Sequence, residues 1–147
     1  ARSELVWDAA MAENGILKIG KVTDFQCHML EHQLGAYTDC NHGQGLAVIH
    51  PVLYSHMAEE AKEQFSRLAV SVWNVDKEGK SEKELALAFV DALQNFIKEC
   101  SLPTSFTQMG ISKDTDFKAI AESTFKMKGC AKQFTSDELL EILKECL

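Results

Sequence analysis

Residues 24–51, DFQCHMLEHQLGAYTDCNHGQGLAVIHP, decide how the chain is read. Asp24 is a suitable N-cap and Gly35 a suitable stop, which predicts a helix over about 24–35. Phe25, Met29 and Leu34 fall near one face of it. The polar turn Thr38 to Asn41 follows. A second helix is expected to start near Asn41 or His42 and to carry Leu46, Ala47, Val48 and Ile49. Pro51 should kink or end it, because its ring removes a backbone hydrogen bond.

Helical periodicity continues on both sides of this stretch. Val6, Ala9 and Ala10 lead to a stop at Asn14-Gly15. Ala61, Phe65, Leu68, Ala69, Val72 and Trp73 follow the i, i+4, i+7, i+8 pattern within a helix expected over about 58–73. Ser81 with Glu84 forms a capping box ahead of the apolar stripe Leu85, Phe89, Leu93, Phe96, Ile97 and Cys100. Asp114 or Asp116 caps a short helix over Phe117, Ile120 and Ala121. A last helix opens at Thr135-Ser136 with Glu138 and contains Leu139, Leu140, Ile142 and Leu143. No stretch alternates with period two. The fold class expected is all-α, one helical domain over residues 1–147 with six to eight helices.

Composition narrows the function. With 15 Lys plus Arg and 22 Asp plus Glu, the formal charge is −7, the wrong sign for a face that replaces phosphate counterions, so no nucleic-acid partner is expected. The longest apolar run, Leu46 to Ile49, is far too short to span a membrane. Five cysteines, Cys27, Cys40, Cys100, Cys130 and Cys146, contain no CxxC, and read as reduced thiols of a cytoplasmic protein. Residue 1 is Ala and the helical pattern starts almost at once, as in a chain that begins inside a larger protein.

All five histidines lie between positions 28 and 56. His28 and His32 are i and i+4, so both imidazoles leave one side of a helix. A helix–turn–helix brings His42 back to the same place. Three neutral imidazoles converging on a point suit zinc or ferrous iron, whereas exposed histidines on a helix face need no metal at all. Gly43 and Gly45 each cost a helix roughly 1 kcal/mol relative to Ala. Two of them in one turn point to something that approaches the backbone closely, whether ligand, metal neighbour or packed helix. His50 and His56 read as surface or packing residues, and Trp7 and Trp73 as core or domain-packing residues. Asp39 reads either as a turn residue or as a group that orients a ligand imidazole.

The stretch Asp24–Tyr37, then Asp39, His42–Ile49 and Pro51, resembles the signature of iron-containing (group III) alcohol dehydrogenases, butanol-dehydrogenase branch. Phe65–Val75, Leu102-Pro103-Thr104 and Met109-Gly110-Ile111 resemble that branch too, so the resemblance spans essentially the whole chain. It implies the C-terminal helical domain of the dehydroquinate synthase-like fold, with a divalent metal (Fe2+ or Zn2+) in a cleft against an N-terminal domain that binds NAD or NADP. By resemblance, His28 and His42 match two of four metal ligands, and His32 matches a histidine beside the metal that relays the alcohol proton. The implied activity is interconversion of small alcohols and aldehydes by metal-assisted hydride transfer, in a homodimer. No residue matches the first two ligands, an Asp and a His, and no Gly-rich nucleotide turn is present. This chain by itself is therefore expected to bind metal weakly and to be inactive. Phe25 stands where that branch often has Trp, and Cys27 adjoins a ligand, which leaves fine substrate choice open. The alternative is a stand-alone helical binding or assembly module without catalysis. A dehydroquinate- or glycerol-dehydrogenase-type relative is a third reading.

Overall fold

The helical patterns become seven α-helices, with no strand, in a computed structural model that describes residues 1–147. They are α1 (Arg2–Glu13), α2 (Gln26–Thr38), α3 (His42–His56), α4 (Lys62–Ser71), α5 (Glu82–Glu99), α6 (Phe117–Ser123) and α7 (Ser136–Glu145). A single 3-10 turn, Ile16–Lys18, follows α1.

Side-chain caps set four of the helix starts. Asn41 Oδ1 accepts from the Gln44 amide and opens α3. Ser81 with Glu84, and Thr135 with Glu138, form the capping boxes of α5 and α7. Asp116, rather than Asp114, caps α6 through the Ala119 amide. Each cap satisfies amides that have no intrahelical partner.

Four local expectations shift. Asp24 accepts from the Gln26 amide, but α2 starts one residue later than a cap at Asp24 implies. Gly35 does not stop α2. The helix runs to Thr38 and ends on Asp39 in the left-handed region, φ 53°. Pro51 does not end α3 either. The helix continues to His56, with residues on both sides of the proline, Val48, Ile49 and Leu53, buried in the core. The helix expected over 58–73 begins only at Lys62, after a turn through Met57–Ala61.

Helix α3 is the centre of the packing, lying against α2, α5 and α7, while α4 pairs with α5 and α6 with α7. The core joins Leu30 and Leu34 of α2 to Ile49 and Leu53 of α3, Phe65 of α4, Phe89 of α5, Ile120 of α6 and Ile142 and Leu143 of α7. The C-terminus is tied back to the loop before α6, where the Phe106 amide donates to the Cys146 carbonyl at 2.6 Å and Thr107 Oγ1 donates to Leu147 O at 2.8 Å. Helix α1 stands apart and buries no residue. Trp7, read from sequence as a packing residue, is 64% exposed, whereas Trp73 packs partly buried against the core. All five cysteines are free thiols. No helix is long and apolar enough to cross a membrane.

Because α3 carries the site described next, its cap has a measurable weight. Asn41→Ala should cost about 1 kcal/mol, a fall in Tm of about 2–4 °C for a chain of this size, with Asn41→Asp close to the parent. Thermal melts in which Asn41→Ala leaves Tm unchanged contradict the assignment.

Candidate metal centre

The apolar stripe of α2 runs through Cys27, Leu30, Glu31 and Leu34, at i, i+3, i+4 and i+7, and all four are buried. One of them is a carboxylate. Glu31 is 1% exposed, and a buried carboxylate needs a strong hydrogen-bonding partner. That partner is His42, in the first turn of α3, whose Nδ1 pairs with Glu31 Oε2. An ionised carboxylate only accepts, so the Nδ1–H donates to it, and in the neutral ring Nε2 carries the lone pair.

The close approach expected at the glycines is this carboxylate. A Cβ on Gly45 would lie 2.7 Å from Glu31 Oε1 and 2.9 Å from its Cγ. Gly43 has no such neighbour, with only Asn41 Oδ1 at 3.6 Å. Gly45 thus lets α3 lie against the Glu31 side chain, and the contact sets the depth at which His42 meets α2.

The three histidines singled out by spacing come together. Ring centroids are 6.2 Å apart for His28 and His32, 5.6 Å for His28 and His42, and 5.3 Å for His32 and His42. The tightest donor set is Glu31, His32 and His42, whose ligand atoms all lie within 4.8 Å of one another, and His28 stands just outside it. One carboxylate and imidazoles are hard and borderline donors of the kind zinc and ferrous iron take, so the side chains fit a divalent cation.

The surroundings of the rings differ. His28 is half-buried and stacks on Phe25, centroids 4.0 Å apart and planes 15° apart. Burial, followed by the neighbouring His42, holds its pKa below the ordinary histidine value, so the ring keeps a lone pair at neutral pH. His32 is exposed and has no side-chain hydrogen-bond partner. Asp39 turns the chain, and the group that pairs with His42 is Glu31.

His50, read from sequence as a surface or packing residue, borders the cluster. Its centroid is 5.9 Å from His28 and 5.1 Å from Tyr54. Burial pushes its pKa down to about 4, so it is uncharged at neutral pH. His56 is remote from the cluster and pairs with Glu145 of α7 at 3.0 Å.

The Fe-containing alcohol dehydrogenase family, C-terminal, has a family model that matches residues 1–147. NADH-dependent butanol dehydrogenase A of Clostridium acetobutylicum is 29% identical over 150 residues, covering 99% of this chain and 38% of that protein. A probable NADH-dependent butanol dehydrogenase 1 of Bacillus subtilis is 31% identical over the same shares of each chain. Among solved structures, NADH-dependent butanol dehydrogenase A from Thermotoga maritima superposes with a TM-score of 0.85 at 29% identity, again over 99% of this chain and 38% of that one. The chain therefore spans 38% of the length of these relatives.

The contact between Glu31 and Gly45 generates a coupled prediction. Gly45→Ala should destabilise by about 2 kcal/mol, even after the roughly 1 kcal/mol that Ala contributes to a helix, because the carboxylate cannot swing aside without leaving His42. In a Glu31→Ala background the same change should be neutral or stabilising. Denaturant melts of the double-mutant cycle read this directly, and additive effects of the two changes contradict it.

Proposed function

This chain belongs to the Fe-containing alcohol dehydrogenase family, as its C-terminal part, and on that premise we propose that residues 1–147 form the metal-binding helical domain of an NAD(P)-dependent dehydrogenase acting on small alcohols and aldehydes. The observation that carries the reading is the convergence of His28, His32 and His42, with Glu31 seated on His42, in one face of the α2–α3 pair. The relatives' greater length supports a further nucleotide-binding domain in the complete protein, and the cleft between the two would receive the substrate.

The roles follow from how each ring is held. His28 and His42 are the two fixed rings, one by the Phe25 stack and the other by Glu31, and these are the ones we assign to a divalent metal, iron or zinc. A carboxylate on the far nitrogen of a ligating imidazole sets its tautomer and raises its basicity. In the complete protein the metal would act as a Lewis acid on the alcohol or aldehyde oxygen while the nicotinamide cofactor exchanges hydride with the substrate carbon. His32 is exposed and untethered, so its ring can turn toward solvent and substrate. From there the imidazole would accept the alcohol proton on oxidation and return it on reduction. Phe25, stacked on His28, forms an apolar wall beside these groups. Two or three side chains from this chain form an incomplete ligand set, so the chain alone should bind metal weakly and reduce no aldehyde with NADH or NADPH.

In the complete protein, His42→Ala should empty the site of metal and abolish turnover. His32→Ala should leave metal content near the parent's while lowering kcat by about 10²-fold and removing a limb of the pH–rate profile. Metal analysis together with kcat across pH checks both. An unchanged rate and profile in His32→Ala contradict its role, and aldehyde reduction by the 147-residue chain alone contradicts the division of labour. If the complete protein shows neither metal nor dehydrogenase turnover, the binding-module reading takes its place.

A further inference from the structure

His28 is one ring in an unbroken aromatic series. Phe25 covers one face of it at 4.0 Å. His50 meets it at 5.9 Å with the planes 72° apart, an edge-to-face arrangement. Tyr54 follows at 5.1 Å from His50, then Phe65 at 5.0 Å from Tyr54 and Phe89 at 4.9 Å from Phe65. Phe65 lies on α4 and Phe89 on α5, and both are buried in the core. The series therefore links the α4–α5 pair to a side chain of the proposed metal centre.

His50 is the joint in that series. It lies eight residues after His42, close to the same side of α3, so one helix presents both rings to α2. Neither the family signature residues nor the tight Glu31–His32–His42 donor set includes it.

We propose that His50 is a positioning residue, which fixes the ring plane of His28 by bracketing it against Phe25 and so presents the His28 lone pair to the cation. The proposal rests on the assignment of His28 as a ligand. The ring-plane claim itself holds for the metal-free protein. An imidazole has rotational freedom about its Cβ–Cγ bond, and a stacking partner on one face limits tilt. A second aromatic edge at right angles limits spin. A branched aliphatic side chain at position 50 would fill the space without either directional contact.

His50→Leu and His50→Phe separate these effects. In the metal-free chain, nuclear Overhauser contacts from the His28 ring to Phe25 report the ring plane, and Zn2+ competition against a chromophoric chelator reports affinity. His50→Leu should weaken or average the His28–Phe25 contacts and lower Zn2+ affinity about 10-fold, with Tm within about 3 °C of the parent. His50→Phe keeps an aromatic edge and should recover both readouts to near the parent. Unchanged contacts in His50→Leu overturn the proposal, as does a Zn2+ loss in His50→Phe equal to that of His42→Ala, which would make His50 a ligand rather than a positioning group. If the parent chain binds no measurable Zn2+, the same titration repeated on the complete protein tests the metal reading, and the ring contacts still decide the role of His50. If His50→Leu does not fold, His50→Phe decides: parent-like ring contacts support the role and lost contacts overturn it.

Discussion

The carboxylate of Glu31 is the constraint on which the rest of this site depends. It sits on the core-facing stripe of α2, where water cannot solvate it, and its partner is an imidazole that belongs to the next helix. Removing His42 would leave the buried carboxylate without its partner, which is destabilising. The pair therefore sets the register of α3 on α2 as firmly as any apolar contact. Gly45 belongs to the same arrangement, since no side chain fits between α3 and the carboxylate. One interaction thus fixes where His42 stands, which of its nitrogens is occupied and how closely the two helices approach.

The surrounding bundle holds that hairpin from the other side. α3 is buried along Val48, Ile49 and Leu53 and continues through Pro51 without a break, so the site end and the core end of the helix move together. At its far end His56 pairs with Glu145, and the His56 carbonyl accepts from Lys132 Nζ at 3.1 Å. Gln26, at the start of α2, donates to the Lys132 carbonyl at 2.8 Å. Lys132 therefore ties the start of α2 and the end of α3 to the segment before α7. Helix α1 has no such anchoring. It exposes Leu5, Val6 and Trp7 and buries nothing, so it belongs to the low-stability end of the structure.

Much of this was legible in the sequence. The capping boxes at Ser81 and Thr135 and the cap at Asn41 stand where the residue types put them, because caps are local chemistry. The spacing of His28, His32 and His42 foretold their convergence for the same reason, since a helix and a short turn leave few other arrangements. Tertiary effects were less legible. Gly35 and Pro51 are helix-breaking residues by propensity; burial on both sides of Pro51 overrode it there, and α2 runs past Gly35 to Thr38. Trp7 is not a core residue of this bundle, because α1 lies outside it and leaves the ring 64% exposed. Glu31 was missed although a signal was present: an acid on the 27, 30, 34 stripe must find a buried partner, and the nearest imidazole in the next helix is His42. His50 reads in the sequence as a surface or packing residue, and only the spatial series from Phe89 to Phe25 relates it to His28. The family resemblance read from residues 24–51 extends over the whole chain, as the family model does.

The most direct measurement is nitrogen-resolved NMR of the His42 side chain, in the complete protein, without and with Zn2+. The account predicts an Nδ1–H held by Glu31 in both states and a metal-induced shift confined to Nε2. A cation that takes Nδ1 and releases Glu31, or a His42 ring that does not respond to the cation at all, would contradict it.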